Sequence, residues 1–169
     1  AFGGAVNIRT APLKPTYLRF EGAGGQHGYA YANLSGAVTS GRFSLLAAGS
    51  YRRSDGYRHN TDFANYNAFV RATYEAPRAG FFDLQAGYQN RTFGSNGFYA
   101  AYNPDQWEAT STALASLRWL KQAGRFSFGA SASYRKNFDR YDWTRGTAMN
   151  RHNTDNVGAR LWADYDWRA

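Results

Sequence analysis

The strongest constraint in this sequence is an alternation of apolar and polar side chains, with a period of two, sustained through eight separate segments. Successive side chains of an extended strand point to opposite faces, so this alternation builds strands with one apolar and one polar face. The segments run Thr16 to Gly25, Tyr29 to Val38, Phe43 to Arg52, Tyr66 to Glu75, Phe82 to Asn90, Ala109 to Leu120, Phe126 to Arg135 and Asn156 to Trp167. In the fourth, Tyr66, Ala68, Val70, Ala72 and Tyr74 oppose Asn67, Arg71, Thr73 and Glu75. In the seventh, Phe126, Phe128, Ala130, Ala132 and Tyr134 oppose Ser127, Ser131, Ser133 and Arg135. The fold class expected is all-β and antiparallel.

Each segment has roughly ten residues, the length at which a tilted strand crosses a bilayer. Aromatic residues close the apolar faces at both ends: Phe43 and Tyr51, Tyr66 and Tyr74, Phe82 and Tyr88, Phe126 and Tyr134. A ring with a polar tip suits a membrane–water boundary, whereas a soluble sandwich places its largest side chains mid-strand. Connections alternate in length. Thr39 to Arg42, Ala76 to Phe81 and Lys121 to Arg125 are short; Arg53 to Asn65, Arg91 to Glu108 and Lys136 to Asp155 are long. The connection at Gln26-His27-Gly28 falls on the long side but is short. Short turns on one side and long loops on the other are the pattern of an outer-membrane barrel. The mean hydropathy of −0.64 agrees, since only every second strand residue of such a barrel faces lipid. No run approaches the roughly 20 apolar residues of a spanning helix.

With no cysteine, disulfide and thiol-ligated metal chemistry are excluded. The net charge of +8 comes mostly from arginines scattered over strands and loops, with lysine only at Lys14, Lys121 and Lys136. That scatter lacks the basic helix or stripe of a nucleic-acid protein. His27, His59 and His152 fall in separate loop regions, and no catalytic constellation, metal site or cofactor site is expected. Asp55, Asn60 and Asp62 share one loop, and Asp139, Asp142 and Asp155 another, at spacings unlike a calcium-binding EF-hand; solvated carboxylates are the simpler reading. Arg52, Arg53, Arg58, Arg135, Lys136 and Arg140 lie at the upper strand ends, where they are either solvated or in contact with the phosphates of lipopolysaccharide.

The start of the chain, Gly3-Gly4-Ala5-Val6-Asn7-Ile8-Arg9-Thr10, resembles the end of the plug domain of TonB-dependent receptors, with Ala11-Pro12-Leu13-Lys14-Pro15 as the linker to the barrel. Phe93 to Tyr99 with Pro104 to Glu108 is similar to the third extracellular loop of receptors described as vitamin B12 (cobalamin) receptors, and Ser54-Asp55-Gly56-Tyr57 also fits the wider family. The resemblance implies residues 1–15 as plug end and linker, and residues 16–169 as the first part of a transmembrane β-barrel of 22 strands. It further implies an outer-membrane location, uptake of a scarce nutrient such as cobalamin or a siderophore, and energy from a TonB coupling protein acting through a missing N-terminal part. The alternative is a self-contained eight-stranded barrel with a structural or adhesive role; the plug-like start and the ending Trp167-Arg168-Ala169, without a terminal aromatic, argue against it.

The loop Arg91 to Glu108 holds an unusual aromatic load for a segment facing water. Phe98, Tyr99 and Tyr102 are expected to offer stacking surface, with Phe93 beside them, while Asn96 and Asp105 orient a polar edge of a small-molecule ligand or meet a surface lipoprotein. Packing of the loop on itself, as a cover, is the competing reading.

Overall fold

The computed structural model describes residues 16–147 and 150–167. Eight strands follow one another: β1 (Tyr17–Gly24), β2 (Ala30–Ser40), β3 (Phe43–Ser54), β4 (Phe63–Ala76), β5 (Gly80–Gly94), β6 (Trp107–Ala123), β7 (Phe126–Asp142) and β8 (Asn150–Tyr165). Each pairs antiparallel with its neighbours in sequence, giving one meandering sheet in the order β1 to β8. The sheet is open: β1 and β8 do not pair with each other. No helix occurs among the described residues. The plug strand and linker expected at residues 1–15 lie outside the described residues.

Residues paired across an antiparallel ladder share a face, so the register sorts the side chains. One row reads Leu18, Gly36, Ala47, Val70, Ala86, Ala115, Tyr134 and Val157. Two residues lower on β3 to β6 lie Leu45, Ala72, Leu84 and Leu117, and below them Phe43, Tyr74, Phe82 and Trp119. These are the alternating apolar sets read from the sequence, all on one face. The opposite face carries rows such as Asn33, Ser50, Asn67, Gln89, Thr112 and Asn137.

Burial is inverted relative to a water-soluble sheet. Leu18, Leu34, Val70, Leu84, Leu117 and Leu161, all on the apolar face, are exposed. The buried strand side chains include Arg71 and Asp83, at 8% and 4% exposure, on the polar face. In a single-layer sheet, burial arises where neighbours crowd together, so from β2 to β5 the polar face is the crowded one and the apolar face splays outward. Hydrogen bonds satisfy the crowded groups. Arg71 Nε and Nη2 donate to Asp83 Oδ1 and Oδ2 at 3.0 and 2.9 Å, a bidentate pair. Higher up, Gln89 Nε2 donates to Asn67 Oδ1 at 2.9 Å, and Asn67 Nδ2 to Ser50 Oγ at 3.2 Å. Near the foot of β7, a Cβ on Gly129 would lie 2.0 Å from the Trp162 ring, so the indole lies directly on that glycine and covers it.

The strands are longer than the alternation indicates. β6 and β7 span 17 residues each. Their upper ends continue the backbone ladder where the apolar stripe breaks up: Thr110 and Asp139 pair on one face, and on the other Ser111 pairs with Phe138, which stands between Lys136 and Arg140. Backbone hydrogen bonds sustain a strand without an apolar stripe, so periodicity understates its reach. The long connections shrink accordingly to residues 55–62 and 95–106, and the third leaves β7 at Asp142 and enters β8 at Asn150. The lower turns are tight: residues 41–42, 77–79 and 124–125, with Gly41 and Gly124 at φ 55° and 60°. Trp119 Nε1 donates to the Ala79 carbonyl at 2.6 Å and ties the middle turn to β6.

Removing one partner of a buried ion pair leaves an uncompensated charge. Asp83→Ala is therefore expected to lower unfolding stability by about 3 kcal/mol. Arg71→Leu with Asp83→Leu should lose clearly less. Urea titration followed by gel mobility of the folded band checks this; a double variant as unstable as the single one would contradict the pairing.

Candidate functional site in the upper loops

All long connections emerge on the side where β3, β5 and β7 end, and residues distant in sequence interlock there. Asn60, at φ 50°, is the central fastener of this cluster. Its Nδ2 donates to the carbonyls of Pro104 and Gln106 at 2.9 and 2.5 Å, and its carbonyl accepts the Asn96 amide at 3.2 Å. Asn96 Nδ2 donates to the His59 carbonyl at 2.6 Å. His59 Nε2 lies at hydrogen-bond distance, 2.6 Å, from Asp105 Oδ1. Gly94 is required by this closeness, because a Cβ there would sit 2.5 Å from the Asn60 carbonyl oxygen.

The third long connection joins the same cluster. Arg145 Nη1 and Nη2 donate to Asp62 Oδ1 and Oδ2 at 2.6 and 2.9 Å, and the Arg145 amide donates to the Asp105 carbonyl at 2.9 Å. Asn103 Nδ2 donates to the Trp143 carbonyl at 2.7 Å. The guanidinium groups of Arg140 and Arg145 lie 5.1 and 5.8 Å from the Trp107 ring centre. Asp142, fully buried, accepts from Arg140 and from the Gly146 amide. The hydrogen bond from Arg145 holds the Asp62 carboxyl below the usual carboxylate range. Of the oxygen-rich loop residues, Asn60, Asp62 and Asp142 are thus spent on loop architecture, and Asp55 pairs with Arg53.

The residues expected to meet ligand divide into three groups. Asn96 and Asp105 are engaged across to the first long connection, as above. Tyr99 donates its hydroxyl to Glu108 and sets its ring edge-on to Tyr141 at 5.2 Å. Burial and, next, the Glu108 bond push its phenol up to about 12, so it remains a neutral donor through the physiological range. Phe98 and Tyr102 are the open ones, at 79% and 82% exposure. Phe98 meets Tyr99 edge-on at 4.9 Å, and Tyr102 leans on Trp143 at 5.9 Å. Phe93 is not in the loop at all. It sits near the end of β5, opposite Phe63, on the polar face.

Sequence reading missed two features here. Gln106 is fully buried; its Oε1 accepts the amides of Tyr99 and Ala100 at 3.2 and 3.4 Å and closes the loop upon itself. Below the loops, a hollow of about 290 Å³ is lined by Arg52, Phe63, Asn65, Arg91 and Phe93. Neither carries a local signal, because each depends on strand register. A larger hollow of about 460 Å³, lined chiefly by Leu18, Leu34, Val38, Leu45 and Ala47, offers no charged group to fix a ligand. The chain matches no family model, no curated protein and no solved structure.

The lowered Asp62 carboxyl sets a pH dependence. A depressed folded-state value means that the stabilisation is present above the unfolded value, about 3.9, and is lost as pH falls through the folded one. Relative to the intrinsic rate at each pH, hydrogen exchange at residues 95–106 is expected to stay slow down to about pH 4 and to become fast below it. Asp62→Asn should show the fast exchange already at neutral pH; unchanged protection in that variant would remove Asp62–Arg145 as a loop tie.

Proposed function

We propose that this chain is the first part of the transmembrane barrel of a TonB-dependent receptor in the outer membrane of a Gram-negative cell. The parent would capture a scarce nutrient, of the cobalamin or siderophore kind, and import it with energy delivered from the inner membrane. The observation that carries the reading is the inverted burial: leucines, valines and aromatic rings exposed on one face, an arginine–aspartate pair buried on the other. Water as the only solvent does not favour that arrangement; lipid outside and a wet lumen inside do. From Phe43 to Tyr51, and from Tyr74 back to Tyr66, the apolar face is bounded by rings eight residues apart, roughly 26 Å along a strand at about 3.3 Å per residue. At the tilt of about 40° usual for barrel strands this rises about 20 Å, most of the roughly 25 Å apolar band of outer-membrane barrels.

The open sheet favours a barrel of more than eight strands over a self-contained one, since the outer edges of β1 and β8 need partners in lipid. The register also refines the arginine reading. Arg53, Lys136 and Arg140 share the apolar side above the upper rings; Arg53 and Arg140 pair with Asp55 and Asp142, which leaves Lys136 to suit lipopolysaccharide phosphates, whereas Arg52 and Arg135 belong to the polar face. In the loop cluster, Phe98 and Tyr102 are the free anchors for a ligand or a surface lipoprotein, while Asn96, Tyr99 and Asp105 hold the platform.

Spin labels in the full-length parent, reconstituted in bilayers, test the membrane reading. Labels at Val70, Ala86 and Ala132 are expected to be reached by oxygen, and labels at Arg71, Gln85 and Ser131 by a water-soluble nickel chelate. Accessibility to water on both faces would end it. Ala130→Arg should destabilise the reconstituted barrel by about 2–4 kcal/mol and Ser131→Arg far less.

Capture by the loops has its own test. Phe98→Ala with Tyr102→Ala is expected to weaken nutrient binding by at least about 2 kcal/mol, the scale of a buried aromatic anchor. Loop protection should be preserved, because neither ring contributes to the Asn60 or Arg145 ties. Undiminished binding and uptake would leave the loops as a cover.

A further inference from the structure

The polar face treats its arginines unequally. Arg71 is neutralised by Asp83 through two hydrogen bonds. Six residues up the sheet from Arg71, Arg52, Asn65 and Arg91 stand side by side in one cross-strand row. No carboxylate pairs with either arginine among the described residues. Arg52 lies 5.1 Å from the Tyr31 ring centre and Arg91 5.2 Å from that of Phe93, which positions each guanidinium without cancelling its charge. The Asn65 side chain between them has a buried Oδ1 with no hydrogen-bond partner. Its amide is thus incompletely satisfied, whichever way round it is placed. Directly above, Phe63 and Phe93 pair across β4 and β5 and supply an aromatic wall. The five residues line an open hollow of about 290 Å³, a volume suited to a small ligand or one arm of a larger one. The nearest carboxylate in the row is Asp139, two strands beyond Arg91 and hence roughly 10 Å away at about 4.8 Å per strand.

We propose that Arg52, Asn65 and Arg91 form an anion-binding site for a ligand whose carboxylate or phosphate is joined to a flat apolar group. The two planar guanidiniums grip the anionic oxygens, the Asn65 Nδ2 group donates a further hydrogen bond to them, and Phe63 and Phe93 stack on the apolar part. The site lies on the face opposite the apolar one, so its ligand arrives through water and not as a lipid headgroup. This rests on the reading of the polar face as a water-filled lumen, and it names the chemistry of what passes there: an anionic, ring-bearing nutrient.

The test uses the full-length parent in bilayer nanodiscs, with phenyl phosphate as the probe and calorimetric titration as the readout. Phenyl phosphate and benzoate are expected to bind, inorganic phosphate more weakly, and benzyl alcohol not at all. Arg52→Gln and Arg91→Gln should each weaken phenyl phosphate binding roughly 10- to 100-fold, the scale of a charge-assisted hydrogen bond. Phe93→Leu should narrow the gap between phenyl phosphate and inorganic phosphate. Vesicles of anionic phospholipid should fail to compete; competition would assign the arginines to lipid and overturn the proposal. Equal affinity in the Arg52→Gln, Arg91→Gln double variant would overturn it as well. Should the variants fail to fold, the unaltered protein still decides: phenyl phosphate is expected to slow phenylglyoxal modification of Arg52 and Arg91, read by mass spectrometry, and unslowed modification counts against the site. Arginine-dependent binding together with reversed spin-label accessibility would sink the lumen reading alone; correct accessibility without binding would sink this proposal alone.

Discussion

A single-layer sheet has no core of its own, and the rest of this structure follows from that. The inter-strand hydrogen-bond ladder satisfies the backbone from β1 to β8, yet it places no second layer over either face. Among the described residues Ala37 is the only buried apolar side chain. Leucine and valine side chains on one face must be covered by something other than the described chain, because each exposed one forfeits about 1.5–3 kcal/mol of transfer free energy in water. Lipid is the cover that the proposed function supplies, and the rings at either end of the face are where such a cover would stop.

The opposite face meets a different requirement. Charged and amide groups crowded together must find partners or contact water. They do so in tiers. The lowest tier neutralises charge with charge, Arg71 with Asp83; the middle tier is neutral, Gln89 to Asn67 to Ser50. The tier beneath the loops holds two uncancelled guanidiniums beside an unsatisfied amide.

The loops themselves are built as one unit. Asn60 reaches Pro104 and Gln106, Arg145 reaches Asp62, and Asn103 reaches the Trp143 carbonyl. Loops fixed this way lose little further conformational freedom on binding, which leaves the free rings of Phe98 and Tyr102 on a stiff base. The same side-chain types that read as candidate ligand contacts therefore split between platform and display, according to which of them the platform consumes.

Strand identity and face were legible in the sequence because the two-residue period is fixed locally by backbone stereochemistry. Val70 and Ala86 fall on one face and Arg71 and Gln85 on the other as the alternation requires. Strand length was less legible, since above the upper rings the ladder of β6 and β7 runs on without an apolar stripe to mark it. The chain alone thus determined an all-β meander with an apolar and a polar face. Only the tertiary structure decided that Asn96 and Asp105 serve the loop joint, that Phe93 belongs to the polar face below it, and that Arg71 is paired while Arg52 and Arg91 are not. The reason is physical: a side chain's face depends on its two neighbours in the chain, but its partner depends on which distant strand or loop is brought alongside, and that is set by register, which no local pattern encodes.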